Sequence, residues 1–316
     1  MFIGNKKNVI FFEKAMENGG LSHAYCLCGP ESIGKLTLAK QIATKILKTT
    51  EDKLNQNPSF YYFERGIDEK TGKMKKEIIV AQAREIKDKM TCRGWNEEGQ
   101  VLILNGAQYL NMEAGNALLK ALEEPAEKSF LFLLGDHEKN ILPTVLSRCQ
   151  KISFLPASRK EIIEGLQELK IEKEKANLAA LFSKGMPGKA ISLVQDEQFF
   201  SDLKIEIRKW LSLFKMNFAE KIESLEDVLT DKDKDGNKSR ELLIRKLDLW
   251  LELWRELLLF KTNQQESKIL EAGELIKLNY SPERIGILMD EIIKTQYYLK
   301  NNIQTRLAIE QFLLKY

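Results

Sequence analysis

The stretch Ala24-Tyr25-Cys26-Leu27-Cys28-Gly29-Pro30-Glu31-Ser32-Ile33-Gly34-Lys35-Leu36-Thr37 decides the fold. Five apolar residues of strand length enter a glycine-bearing turn, and the turn opens a segment with helical period over 35–47. Backbone N–H groups at such a turn, backed by a helix N-terminus, suit a phosphate, and Lys35 adds a point charge. The phosphate-loop pattern G-x-x-x-x-G-K-[ST] is met at Gly29, Gly34 and Lys35 but fails at its last position, where Leu36 stands. The hydroxyl arrives one residue late, at Thr37, and one residue turns a helix by about 100°, away from the place of a magnesium ligand. Gly29, Gly34, Lys35 and Thr37 are read as a vestigial phosphate loop. Two readings stay open for it, a retained ATP or ADP site and a turn that binds nothing; neither makes a nucleotide a required cofactor.

Outward from this stretch, the apolar runs 60–63, 101–104, 130–134 and 152–154 repeat the pattern of a fully buried strand. Helical period fills 79–90 and 110–123. In the latter Leu110, Ala114, Ala117, Leu118, Ala121 and Leu122 share one face, and the segment stops before Pro125. Strands alternating with helices predict a mostly parallel sheet covered on both faces. After Pro156 the pattern becomes helical throughout, with a break at Gly185-Met186-Pro187-Gly188, a solvated loop at 231–239, and a stripe of Leu242, Leu243, Leu247, Leu251 and Trp254. The expected organisation is an α/β phosphate-loop domain over 1–156, a small helical lid over 157–198 and an all-helical C-terminal domain over 199–316.

A hydrolysing phosphate-loop enzyme also needs an acidic residue at the end of a neighbouring strand, to hold magnesium and polarise water. The strand Val101-Leu102-Ile103-Leu104 is followed by Asn105-Gly106, so that carboxylate is missing. Leu36 and Asn105 point the same way: no ATPase activity of its own is expected.

Composition narrows the rest. The 316 residues hold 49 Lys and Arg against 46 Asp and Glu, a formal charge of +3 with no basic tail to announce a nucleic-acid binder. No run of about 18 apolar residues exists, which argues against a transmembrane helix and a membrane partner. The N-terminal segment lacks a signal-peptide core. Cys26 and Cys28, one residue apart in a strand, make a poor zinc clip, and Cys92 and Cys149 stand alone. Reduced thiols in a cytoplasmic protein are the expectation. His23 and His137 are too far apart in sequence for a catalytic or zinc cluster. Glu123-Glu124 before Pro125 reads as a solvated helix end. Trp210, Trp250 and Trp254, at helical spacing, read as packing rather than base stacking.

Several segments resemble a known family. HAYCLCGPESIGKLTLA (23–39), NALLKALEEP (116–125) and ILPTVLSRC (141–149) are similar to the bacterial clamp-loader branch of the AAA+ proteins, in particular the delta-prime family of DNA polymerase III. FIGNKKNVIFFEKAMENGGLSHAY (2–25), NPSFYYFE (57–64), IIVAQAREIKDKM (78–90), SKGMPGKAISL (183–193) and NIQTRLAIEQFLL (302–314) resemble further segments of it. The resemblance implies an AAA+ fold and a ring shared with gamma/tau motor subunits and the delta subunit, which loads the beta sliding clamp onto primer-template DNA. It further implies that Ser147-Arg148-Cys149 is the Ser-Arg-Cys motif, with Arg148, beside Ser147, entering the ATP site of a neighbouring subunit as an arginine finger. Departures matter as well. The region KTTEDKLNQNPSFYYF (48–63), where many relatives carry a four-cysteine zinc module, has no cysteine, so no zinc is expected. Gly188 stands where motor subunits carry a lid arginine, and Leu133-Leu134-Gly135-Asp136 where they present a polar sensor. The alternative within the family is a gamma/tau-type ATPase, which Leu36 and Asn105-Gly106 oppose.

Overall fold

The computed structural model describes residues 2–67, 72, 74–92, 97–226, 229, 237–263, 279–301 and 303–315. Its first half runs α1 (Lys6–Glu17), β1 (Ala24–Cys28), α2 (Lys35–Ile46), β2 (Phe60–Phe63), α3 (Val80–Thr91), β3 (Gln100–Asn105), α4 (Met112–Glu123), β4 (Ser129–Gly135), α5 (Pro143–Leu146) and β5 (Gln150–Ser153). The strands form one parallel sheet in the order β2-β3-β4-β1-β5, each overlapping the apolar run that predicts it. This order, with helices on both faces, is the doubly covered parallel sheet that the alternation of strands and helices predicts.

Strand alternation sorts the core into two halves. Tyr25, Leu27, Val101, Ile103, Phe132 and Leu134 meet Phe12 of α1 and Leu38, Ala39, Ile42 and Ala43 of α2. Ala24, Cys26, Leu102, Leu104, Leu131 and Leu133 meet Ala83, Ile86 and Met90 of α3 and Ala114, Leu118, Ala121 and Leu122 of α4. Helix α4 starts at Met112 rather than 110, because the Asn111 side chain accepts the Ala114 N–H at 2.9 Å and caps it. The short α5 is keyed onto α4: a Cβ at Gly115 would lie 2.2 Å from Leu142 Cδ1, and Val145 is fully buried. Asn5 joins the far end of the domain, its Nδ2 donating to the Leu155 carbonyl at 2.9 Å and its Oδ1 accepting the Leu155 N–H at 3.0 Å.

The chain divides into two compact units, residues 1–169 with 183–191 and residues 170–182 with 192–316. The segment expected as a lid gives α6 (Arg159–Glu168) to the first and α7 (Lys173–Phe182) to the second, while α8 (Pro187–Gln195) begins in the first. Ser158 and Glu161 cap α6 reciprocally, and the bonds from Ser158 hold the Glu161 carboxyl below its usual range.

The second unit is helical: α9 (Glu197–Leu213), α10 (Phe218–Glu223), α11 (Asn237–Asn263), α12 (Pro282–Lys300) and α13 (Thr305–Lys315) follow α7. Trp210 and Trp254 meet edge to face at 5.4 Å, and Trp250 lies 5.9 Å from Phe312, so all three tryptophans are packing residues. The buried stripe of α11 is Leu243, Leu247, Trp250, Trp254 and Leu257; Leu242 and Leu251, expected within it, are only half-buried because the 3.6-residue period passes beside them. Residues 231–236 of the expected loop lie outside the described residues, and Asn237 already begins α11. Among the described residues no helix is long and apolar enough to cross a membrane.

Phe132 stacks on Tyr25 with ring centroids 5.5 Å apart and lies 6.1 Å from Phe12. Phe132→Ala should therefore destabilise the first unit by about 3–5 kcal/mol, read as a lowered urea midpoint.

Candidate functional site

Because the strands are parallel, the C-terminal ends of β1, β3 and β4 share one edge of the sheet, which is where open α/β sheets place their ligands. The Gly29–Gly34 turn, Asn105-Gly106 and Asp136 meet there, around a cleft of about 280 Å³ lined by Glu31, Lys35, Glu64, Asn105, Gln108 and Asp136, among others.

The loop is closed upon itself. Lys35 Nζ donates to the Gly29 carbonyl, and to the Pro30 carbonyl at 2.7 Å. Burial pulls the Lys35 ammonium below the usual lysine range, and the negative charge of Asp136 opposes that shift. Neighbours cover the loop on several sides. Gly34 adopts φ +104°, and a Cβ there would lie 3.0 Å from the Phe2 ring. A Cβ on Gly29 would come within 2.7 Å of Phe154 Cβ. Gly188, in the place of the lid arginine, donates its N–H to the Ser32 carbonyl at 2.8 Å, where a side chain would collide. Leu36 packs towards the core, while Thr37 is exposed on α2.

At the end of β3, Asn105 Nδ2 donates to the Tyr62 hydroxyl at 3.2 Å, and that hydroxyl donates to Glu64 Oε2 at 2.7 Å. Burial, together with Glu64, pushes the Tyr62 phenol up to about 12. Asp136 accepts the His137 N–H at 2.6 Å and Asn140 Nδ2 at 3.1 Å. Glu31, Glu64 and Asp136 place three carboxylates around the cleft against the two cations Lys35 and Arg65, and Arg65 sits over the Tyr109 ring, 3.5 Å from its centroid. That balance is adverse to a triphosphate.

Arg148 lies elsewhere, between α5 and β5, and is not among the residues lining the cleft. Its Nε donates to Glu123 Oε1 at 2.8 Å, and its Nη2 lies 2.5 Å from the same oxygen as the ion-pair contact. Nη1 donates to the Thr144 carbonyl at 3.0 Å and reaches Ser147 Oγ at 3.4 Å, while Ser147 Oγ donates to Thr144 O at 3.1 Å. The sequence therefore brings Gly29, Gly34, Lys35 and Thr37 into one loop, and Ser147 and Arg148 into a separate one. Glu123, read from sequence as a solvated helix end, is the ion-pair partner of Arg148, and no local signal marks it: the two meet only because β4 returns the chain. The Cys26 and Cys28 sulfurs lie 3.6 Å apart, buried and without a disulfide; the hydrogen bond to Cys28 and burial push the Cys26 thiol up. Among the described residues no cluster of three or more His, Cys, Asp or Glu side chains could hold a metal.

Comparison with known proteins places this geometry. The family described as DNA polymerase III, delta subunit matches residues 4–158. DNA polymerase III subunit delta' of Buchnera aphidicola subsp. Schizaphis graminum is 30% identical over 249 residues, covering 74% of this chain and 70% of the relative. The delta' subunit of Bacillus subtilis is 26% identical over 190 residues, covering 58% of this chain and 57% of that one. The tau subunit of B. subtilis is 26% identical over 298 residues, covering 85% of this chain and 51% of its own. The chain thus spans about half the length of the two B. subtilis relatives.

The lowered Lys35 value fixes a sign. An unfolded chain binds more protons at this lysine than the folded one in a window below 10.5, so Lys35 makes stability rise with pH there. Against Lys35→Met, which lacks the titrating group, the stability of the wild-type chain should gain progressively as pH climbs towards 10.5. Paired urea titrations at several pH values measure it, and a constant difference would contradict the buried, charged clasp.

Proposed function

This chain belongs to the DNA polymerase III delta-prime subunit family, and from that membership we propose that it is a non-motor subunit of a clamp loader. It works in the cytoplasm with gamma/tau and delta subunits, and the complex loads the beta sliding clamp onto primer-template DNA. The subunit itself hydrolyses no ATP, and it requires neither a nucleotide nor zinc. The observation that carries the non-motor reading is Asn105 at the end of β3, bonded to Tyr62 where an ATPase needs a carboxylate. Lys35, turned onto the carbonyls of its own loop, supports it.

The contribution to catalysis is made in trans. Arg148, with Ser147 beside it, presents a guanidinium to the ATP of a neighbouring subunit and neutralises charge developing on the transferred phosphoryl group. Arginine fingers of this kind are worth about 10³–10⁵ in rate. The position of Arg148 outside its own cleft supports this role, and so does its exposure: its side chain is 35% accessible. The ion pair with Glu123, 51% accessible, is of the exposed kind that contributes about 0–1 kcal/mol, so folding does not hang on it. A gamma/tau-type ATPase is the second reading, favoured by the match to tau across most of the chain and opposed by Asn105 and Leu36.

The purified subunit should show no ATP turnover above that of Lys35→Ala; turnover abolished by that substitution would overturn the non-motor reading. In a complex reconstituted with its motor partners, Arg148→Ala should leave assembly intact and lower DNA-stimulated ATPase. Arg148→Lys should restore little of it, because an ammonium lacks the planar fork. Equal rates at equal assembly would leave the subunit a scaffold alone.

A further inference from the structure

Glu123 is given no part in the chemistry so far, yet it accepts the shortest hydrogen bond of the Arg148 side chain and is its ion-pair partner. We propose that Glu123 is the positioning residue of Arg148: its Oε1 braces the guanidinium edge so that the remaining N–H groups meet the neighbour's phosphate already oriented. The proposal rests on the trans role of Arg148 given above.

The hydrogen-bond count shows how the brace divides the guanidinium. Arginine offers five N–H donors in a fixed plane. Glu123 Oε1 takes Nε–H, with Nη2 in ion-pair contact with the same oxygen, and the Thr144 carbonyl takes one Nη1–H. Among the described residues this leaves the Nη2–H groups without a hydrogen bond and the second Nη1–H with only the 3.4 Å contact to Ser147 Oγ. N–H groups on the two terminal nitrogens can grip an anion's oxygens. The brace thus holds the Nε side and leaves terminal donors open.

The support for the brace is rigid. Glu123 ends α4, Thr144 and Ser147 belong to α5 and its end, and the two helices are keyed together by Leu142 over Gly115 and by buried Val145. Arg148 N–H further donates to the Val145 carbonyl at 3.2 Å. Donors fixed before the charge develops cost no reorganisation when it does, which is the source of preorganised catalysis. The carbonyl end of α4 also favours a cation at this place.

The hydrogen bond and the ion-pair contact go to one oxygen, and that gives the test its edge. Glu123→Gln keeps Oε1 as an acceptor and removes the charge; Glu123→Ala removes the oxygen. In the reconstituted complex, Glu123→Ala should reproduce the larger part of the loss in DNA-stimulated kcat caused by Arg148→Ala, with the KM for ATP little changed. Glu123→Gln should stay within about twofold of wild type. Glu123→Ala should add nothing to Arg148→Ala, since both act through one group. Gel filtration and thermal melting confirm that each variant folds and assembles. If Arg148→Ala is impaired and Glu123→Ala is not, the finger stands and the brace is overturned. If Gln is as poor as Ala, or Glu123→Ala costs as much without Arg148 as with it, positioning through Oε1 is overturned. If Arg148→Ala itself matches wild type, the trans reading fails and takes the brace with it.

Discussion

Everything in the first unit depends on one constraint: a parallel sheet must be covered on both faces, and its strands must all point the same way. The first requirement explains the near-continuous apolar runs, whose alternate residues feed two separate cores, one beneath α1 and α2 and one beneath α3 and α4. The second sends the ends of β1, β3 and β4 to a single edge. Gly29, Asn105 and Asp136 are neighbours for that reason alone, though more than a hundred residues separate the first from the last. The site is a product of topology before it is a product of side chains.

Within that frame the two cations singled out by the sequence have opposite fates. Lys35 sits behind its loop, its charge spent on two backbone carbonyls and balanced by Asp136, while Gly188 and Phe2 occupy the approaches. Arg148 sits on a separate turn, tethered to Glu123 and to the Thr144 carbonyl, with about a third of its side chain accessible. An inward cation holds a loop together; an outward one is available to something else. The lysine of the phosphate loop is bonded to its own turn, and the arginine stands on a separate surface turn.

The strands and the helices of the first unit were legible because buried β runs and amphipathic faces are local patterns in the chain. The start of α4 was misplaced by two residues because Asn111, an apolar-flanked polar residue, turned out to be the cap. The defects at Leu36 and Asn105 were legible as residue types, since a leucine cannot ligand magnesium and an asparagine cannot replace a carboxylate. The direction of Lys35 was not, because residue type and spacing do not show whether an ammonium turns outwards or onto the Gly29 and Pro30 carbonyls of its own loop. Glu123 is the solvated helix end that the sequence predicts, but its pairing with Arg148 was not legible, because the partner is 25 residues away, across a strand and a turn. The half-buried Leu242 and Leu251 show a smaller error of the same kind, a stripe traced one residue to the side of its true axis.

The placing of β1 has a consequence in time. Its two neighbours are β4 and β5, so Ala24 pairs with Leu131 and Tyr25 with Gln150. The Asn5 clamp closes only on Leu155. A ribosome delivers β1, an interior strand of the sheet, before either of its partners. Such long-range closures are slow, and an apolar strand left without partners is prone to wrong ones. The pairing of β1 with the edge strand β5 therefore waits until β5 is free of the exit tunnel.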